Sequence, residues 1–209
     1  MGTAALAGFP TIVPANVLGK NAPSNKINIG QIGCGRIARS HDLRDTMAYD
    51  AAQIMAVCDL DSNRMKDGKE LVDKFYQEKN GKPRYKGTKM YMDYRDMLND
   101  KDIDAVMIST PDHWHSQPAM EAAMAGKDIY LQKPTSLTVD EGRQLVHAVQ
   151  KNNVILQVGT QQRAMPQFRI AAELVRNGRI GKLHTVKIGL PGDPGGPEAP
   201  AMPIPENLN

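Results

Sequence analysis

The chain has 209 residues, of which 41% are apolar and 23% charged, and a formal net charge of +3. That is enough for one well-buried domain and part of another, with the composition of a soluble globular protein. Lysines and arginines are interspersed with acids rather than gathered in a stripe, which argues against a nucleic-acid partner. Two cysteines, Cys34 and Cys58, are too few for a disulfide framework or a four-ligand zinc site and read as small packing residues.

Residues 1–25 are rich in Ala, Gly and Pro, and Lys20 is their first basic side chain. They read as a linker or mobile arm, or as the back half of an export signal whose basic front is missing. On the second reading the parent protein is periplasmic or exported; otherwise it is cytoplasmic. No run reaches the roughly 18 apolar residues that a membrane span needs, so no membrane partner is expected.

From residue 26 onward, short β-rich runs alternate with amphipathic stretches, the pattern of an α/β fold with a parallel sheet covered by helices on both faces. Strands are expected at 27–32, 53–58, 105–109, 128–131 and 154–158, and helices near 36–48, 62–79, 94–99, 116–125, 138–151 and 165–177. Thr138 before Glu141 reads as a capping box, and Gly126 and Gly178 sit where helix C-caps belong. In the last helix Phe168, Ala171, Ala172 and Val175 share one face. The run 183–190 reads as the first strand of a second domain. Residues 191–209 hold six of the fourteen prolines and exclude a helix or central strand.

The first strand runs into Gly33-Cys34-Gly35-Arg36-Ile37-Ala38, a G-x-G-x-x-A sequence between an expected strand and an expected helix. The first glycine allows a tight turn, the second lets the backbone approach a pyrophosphate, and the small third residue permits close helix-to-strand packing. The helix N-terminus offers N–H groups to phosphates. A glycine turn that binds nothing is the competing reading. The next strand ends at Asp59, about 20 residues beyond the loop, where a carboxylate would accept the hydroxyls of an adenosine ribose. Alternatively Asp59 or Asp61 only caps the following helix. An acid there favours NAD, and Arg64 close by leaves NADP open.

Two further strand ends are polar. Thr110-Pro111-Asp112-His113-Trp114-His115 follows the strand at 105–109, at the sheet edge where open α/β folds bind ligands. Capping and loop packing compete as roles for the two histidines, and no third ligand supports a metal. The stretch 129–135, IYLQKPT, stops an apolar strand on Gln132, Lys133 and Pro134. That is either a solvated strand end or a site.

Together GCGRIA at 33–38, the acid at 59, STPDHWH at 109–115, AGKDIYLQKP at 125–134 and VGTQQR at 158–163 resemble the Gfo/Idh/MocA family of NAD(P)-dependent oxidoreductases, which includes glucose-fructose oxidoreductase and inositol dehydrogenase. The resemblance covers about residues 26–190. It implies a Rossmann doubly wound parallel sheet at 26–160, a connecting helix and first strand of an α+β domain at 161–190, and a Pro/Gly-rich loop at 191–209. It also implies a sugar or cyclitol substrate and a parent that is a homo-oligomer.

By matching position, Gly33, Gly35, Arg36 and Ile37 would touch the pyrophosphate, Asp59 the adenosine ribose, and Thr110, Pro111 and His115 would lie along the nicotinamide side. Gln132 would bind a ribose hydroxyl, in a place where the family usually has glutamate. Lys133 would face ribose and substrate, ahead of a Lys-Pro bond that is commonly cis. Gln161, Gln162 and Arg163 would approach the nicotinamide and the sugar.

Oxidising a sugar hydroxyl requires hydride transfer and a base within hydrogen-bond reach, and Lys133 is the expected proton-transfer residue. The family's partner histidine would fall beyond residue 209, so the chain reads as the cofactor part of a longer enzyme. A sugar dehydrogenase, an NAD-dependent glycosidase and a non-catalytic nucleotide-binding fragment are the three readings.

Overall fold

The structure, a computed structural model, describes residues 25–80, 87–190, 192 and 202–208. Residues 1–24 of the leader-like segment expected at 1–25, and most of the proline-rich stretch at 191–209, lie outside the described residues.

Six strands form one parallel sheet: β1 (Ile27–Ile32), β2 (Ala52–Cys58), β3 (Lys89–Tyr91), β4 (Ala105–Ile108), β5 (Asp128–Leu131) and β6 (Leu156–Val158). Their order is β3-β2-β1-β4-β5-β6 and every pairing is parallel. This is the doubly wound Rossmann arrangement, with the strand order reversing between β1 and β4. The edge strand β3 was not expected from sequence; only three residues long, it carries too little alternation to read.

Alternation along the central strands feeds two cores. On one face Ile29, Val57 and Met107 pack with Leu43 and Met47 of α1 (Leu43–Met47) and with Met65, Val72 and Tyr76 of α2 (Ser62–Asn80). On the other, Ile32, Val106, Ile108 and Leu131 meet Met97 of α3 (Tyr94–Leu98), Ala119, Ala122 and Ala123 of α4 (Ser116–Met124) and Leu145 of α5 (Val139–Asn152).

The expected caps are present. Thr138 accepts the Glu141 N–H at 3.2 Å, and the Glu141 carboxylate reaches back to the Thr138 N–H. Gly126 and Gly178 have φ of 72° and 68°, as C-cap positions require.

Three elements differ from expectation. The helix expected at 36–48 is α-helical at Arg36 and Ile37 and then passes through a π-helical turn, Ala38–Asp42, before α1. A short helix, α6 (Gln161–Ala164), precedes α7 (Pro166–Arg176). Residues 183–190 form no strand: Val186, Ile188 and Leu190 are exposed, and no neighbouring strand pairs with them among the described residues. β propensity without a partner leaves the backbone groups unpaired, so no ladder forms. Helix α7 likewise presents Phe168, Ile170, Leu174 and Val175 exposed, so its apolar stripe is not buried by the described residues. No helix among the described residues is long and apolar enough to cross a membrane.

Candidate cofactor site

The carboxyl ends of β1 and β4 meet at Gly33. Its φ is +84°, and a Cβ built there would lie 2.8 Å from the Ser109 carbonyl oxygen and 3.0 Å from the Thr110 nitrogen. Only glycine combines that backbone with that approach. The Gly33 N–H donates to the Cys58 carbonyl at 2.8 Å, and the Cys34 N–H donates to Asp59 Oδ2 at 2.7 Å. Cys34 and Ala38 are fully buried, and Cys34 Sγ sits against Gly68 of α2. Burial pushes the Cys58 thiol up to about 12 and the Cys34 thiol higher still, so both are protonated packing groups.

Gly35 faces open space, with no atom within 4 Å of the point where a side-chain methyl would stand. It lines a cleft of about 740 Å³ that also contains Arg36, Ile37, Asp59, Thr110 and Pro111. The first N–H groups of a helix lack intrahelical acceptors, and the residues of this first turn, Gly35, Arg36 and Ile37, line that cleft. The residues therefore fit a dinucleotide: a close-approach glycine, an N-terminal helical turn and a carboxylate share one concave surface.

The two acids at the end of β2 divide their work. Asp61 caps α2, with Oδ1 accepting the N–H of Asn63 at 2.9 Å and of Arg64 at 3.2 Å. Asp59 instead links the glycine loop to the Asp61 N–H, which its Oδ1 accepts at 2.8 Å. Arg64 Nε lies 3.4 Å from Asp61 Oδ2.

A segment with no sequence signal joins this end of the cleft. The Asn207 carbonyl accepts the Ser62 N–H at 2.9 Å, Leu208 bridges Asp61 antiparallel, and Pro205 adds to the wall. The Asn207 side chain, followed by the Arg64 N–H, holds the Asp61 carboxyl below the usual range.

Not every expected site residue faces the cleft. His115 is 1% exposed. Its Nδ1 meets the Pro134 carbonyl and its Nε2 the Thr110 carbonyl at 2.8 Å, so it cross-links two loops and does not line the cleft. Gln132 was expected on a ribose, but it is 5% exposed and donates through Nε2 to Asp42 Oδ1 at 2.8 Å. The cause is strand parity: Gln132 continues the face of Tyr130, which packs with the α1 and α2 core.

Lys133, next in line, is exposed at the end of β5, and the Lys133–Pro134 peptide is cis. Gln161, Gln162 and Arg163 are exposed on α6, beyond the end of β6 and outside the cleft wall. Among the described residues no group of three or more His, Cys, Asp or Glu side chains is placed to hold a metal. Asp42 and Ser109 were missed from sequence. Ser109 Oγ donates to Asp42 Oδ2 at 2.6 Å, and burial raises the Asp42 pKa against the lowering effect of its hydrogen bonds from Ser109 and Gln132.

Comparison with known proteins agrees with this geometry. Residues 27–160 match the model of the Gfo/Idh/MocA oxidoreductase family, described as an NAD-binding Rossmann fold. The uncharacterized oxidoreductase YrbE of Bacillus subtilis is 35% identical over 165 residues, which is 79% of this chain and 44% of that protein. Myo-inositol 2-dehydrogenase of Thermotoga maritima is 29% identical over 162 residues, covering 78% of this chain and 44% of the relative. The chain therefore spans less than half the length of these two relatives. Scyllo-inositol dehydrogenase from Lactobacillus casei, solved with NAD(H) and scyllo-inositol bound, superposes with a TM-score of 0.63 at 25% identity, over 75% of this chain and 42% of that one. With a family match over residues 27–160 and the strand order and glycine turn described above, the chain belongs to the Gfo/Idh/MocA oxidoreductase family and carries its NAD-binding Rossmann domain.

Proposed function

We propose that this chain is the cofactor-binding part of an oxidoreductase that moves a hydride between NAD and a hydroxyl carbon of a sugar or cyclitol. The observation that carries the reading is the single cleft running from Asp59 past Gly35 to Thr110 and Pro111 at the point where strand order reverses. In this reading Gly33 shapes the turn while Gly35, Arg36 and Ile37 hold the pyrophosphate. Asp59 accepts the adenosine ribose hydroxyls, and Thr110 and Pro111 form the nicotinamide side. His115 ties the Thr110 carbonyl to the Pro134 carbonyl, which fixes the backbone on either side of the nicotinamide end.

Bound nicotinamide supplies the hydride acceptor. The complementary step is removal of the hydroxyl proton, assigned to Lys133 at the adjoining strand end, with Gln161, Gln162 and Arg163 approaching substrate from the next one. A lysine amine takes a proton only when deprotonated, a state that desolvation or nearby positive charge favours. The carboxylate at 59 favours NAD, because a 2′-phosphate would meet its negative charge.

A titration of the chain with NADH, followed by nicotinamide fluorescence, tests this reading. Wild type should bind and Asp59→Ala should bind at least tenfold more weakly, whereas absence of binding by wild type at millimolar NADH would remove the proposal.

A second reading has its own support. A glycosyl hydrolase family 109 protein of Shewanella pealeana is 30% identical over 175 residues, covering 80% of this chain and 36% of that protein. The same cofactor site would serve a glycosidase that oxidises a sugar carbon transiently and restores it with the same hydride. Glycoside cleavage by the full-length parent without net NADH formation would select it.

A further inference from the structure

Beneath the cofactor cleft lies a buried acid that the chemistry above does not use. Asp42 closes the π-helical turn and is 5% exposed. Its two oxygens are shared between Ser109 Oγ, at 2.6 Å, and Gln132 Nε2, at 2.8 Å. The titratable groups that reach it electrostatically are Asp45 and His41 on its own helix and Tyr130 from β5.

The hydrogen bonds continue in both directions. Gln31 Nε2 lies 3.1 Å from Ser109 Oγ and 2.9 Å from the Gly33 carbonyl. At the other end the Lys133 N–H lies 3.3 Å from Gln132 Oε1. One chain of polar contacts, buried at Gln31, Asp42 and Gln132 and half-buried at Ser109, therefore runs from the glycine turn to the backbone of the lysine.

We propose that Asp42 and Gln132 form a carboxylate-to-amide latch that positions the glycine turn and Lys133 relative to each other, with the anion supplied from the helix and the donor from the strand end. Neither residue touches cofactor; both are positioning residues. The polarity follows from donor inventory. A carboxylate only accepts, so position 132 must donate, and the amide NH₂ does so while its oxygen remains free to accept from Lys133. A glutamate at 132 would oppose two acceptor-only groups, and two carboxylates sharing a site cannot both ionise readily. The latch would then close only when a proton is shared between them.

This inference uses NADH as its probe and so rests on the reading of the cleft as a cofactor site. The test compares wild type, Gln132→Glu and the reversed pair Asp42→Asn with Gln132→Glu, in the intact chain, by NADH titration at pH 6 and pH 8. Wild type and the reversed pair should have equal affinities at the two pH values. Gln132→Glu should bind about tenfold more weakly at pH 8 than at pH 6, since a single shared proton governs its latch. A Gln132→Glu profile as flat as that of wild type, or a reversed pair that keeps the single variant's pH dependence, would overturn the latch.

Wild type that fails to bind NADH removes the cofactor reading instead. The latch is then judged by thermal unfolding of the same three proteins. A shared proton raises the folded-state pKa of the pair, so the stability of Gln132→Glu is retained at low pH and lost as pH rises through that value. Its Tm relative to wild type should fall from pH 6 to pH 8, and the reversed pair should abolish the fall. An unchanged difference would refute the latch. If Gln132→Glu does not fold at either pH, the reversed pair alone decides, by folding with wild-type pH dependence or failing to.

Discussion

Replacing Gly33 by alanine should cost stability, whereas replacing Gly35 should cost only cofactor affinity. At Gly33 an L side chain must adopt a φ of +84°, a region that penalises non-glycine residues by about 1–3 kcal/mol. Its Cβ would also lie 2.8 Å from the Ser109 carbonyl oxygen and 2.9 Å from the Ser109 carbonyl carbon. Both are backbone atoms tied into the sheet, because the Ser109 N–H donates to the Ile32 carbonyl at 2.9 Å. Overpacking against atoms that cannot swing aside costs typically about 1–3 kcal/mol. Together these give roughly 2–6 kcal/mol, a large part of a typical domain stability of about 5–15 kcal/mol. At Gly35 nothing lies within 4 Å of the added methyl, so its effect on stability should stay within about 0.5 kcal/mol. The same methyl would project into the cleft, where it blocks the approach of a pyrophosphate. Urea unfolding, with the denaturant slope checked for constancy, and NADH titration separate the two effects. Gly33→Ala as stable as wild type would refute the close approach of β1 to β4. Gly35→Ala binding NADH like wild type would refute the assignment of that open space to the cofactor.

Two further outcomes follow from surface features. Thr138→Ala removes the acceptor of the Glu141 N–H in a complete capping box and should destabilise the protein by about 1 kcal/mol, read as a lower urea midpoint at unchanged slope. Asp100 accepts from Lys89 Nζ at 2.6 Å and Tyr91 Oη at 2.7 Å. With the Lys89 ammonium as the largest cause, its carboxyl is held at about 2, below the ordinary 3.8. A carboxyl lowered on folding contributes stability that is present above its unfolded pKa and lost as pH falls through its folded one. The difference in urea midpoint between wild type and Asp100→Asn should therefore be greatest near pH 5 and narrow toward pH 2, and a difference that stays constant over that range would contradict the assignment.

The order of elements was legible because the central strands are buried on both faces and read as apolar runs, and because glycine marks the helix ends where the chain needs positive φ. What escaped depended on partners rather than on pattern. β3 exists only because Lys89–Tyr91 lies alongside Ala56–Cys58. Conversely, the apolar run at 183–190 has strand propensity but pairs with no strand among the described residues. The contact of Asn207 with Ser62 joins residues 145 positions apart, through a proline-rich segment whose composition says nothing about where it docks.

The candidate site shows the same division at finer scale. The glycine loop and Asp59 lie where their spacing put them, because the turn geometry acts on the backbone and is local. The direction of the side chains at the ends of β4 and β5 is set instead by parity across the sheet. Gln31, Met107 and Tyr130 stand in register on neighbouring strands, and Met107 belongs to the core beneath α1 and α2. Two residues further along, Ser109 and Gln132 therefore turn to that same face, where Ser109 still borders the cleft and Gln132 is buried. A helix arriving there must satisfy a half-buried hydroxyl and a buried amide, and Asp42, one turn after Ala38 on the buried side of the π-helical turn, is the residue that does so. Three polar residues on one face at the ends of three adjacent strands were thus the sequence signal for a buried acid on the covering helix. That signal becomes readable only once strand order is known, because Gln31, Ser109 and Gln132 are neighbours in space while lying far apart in the chain.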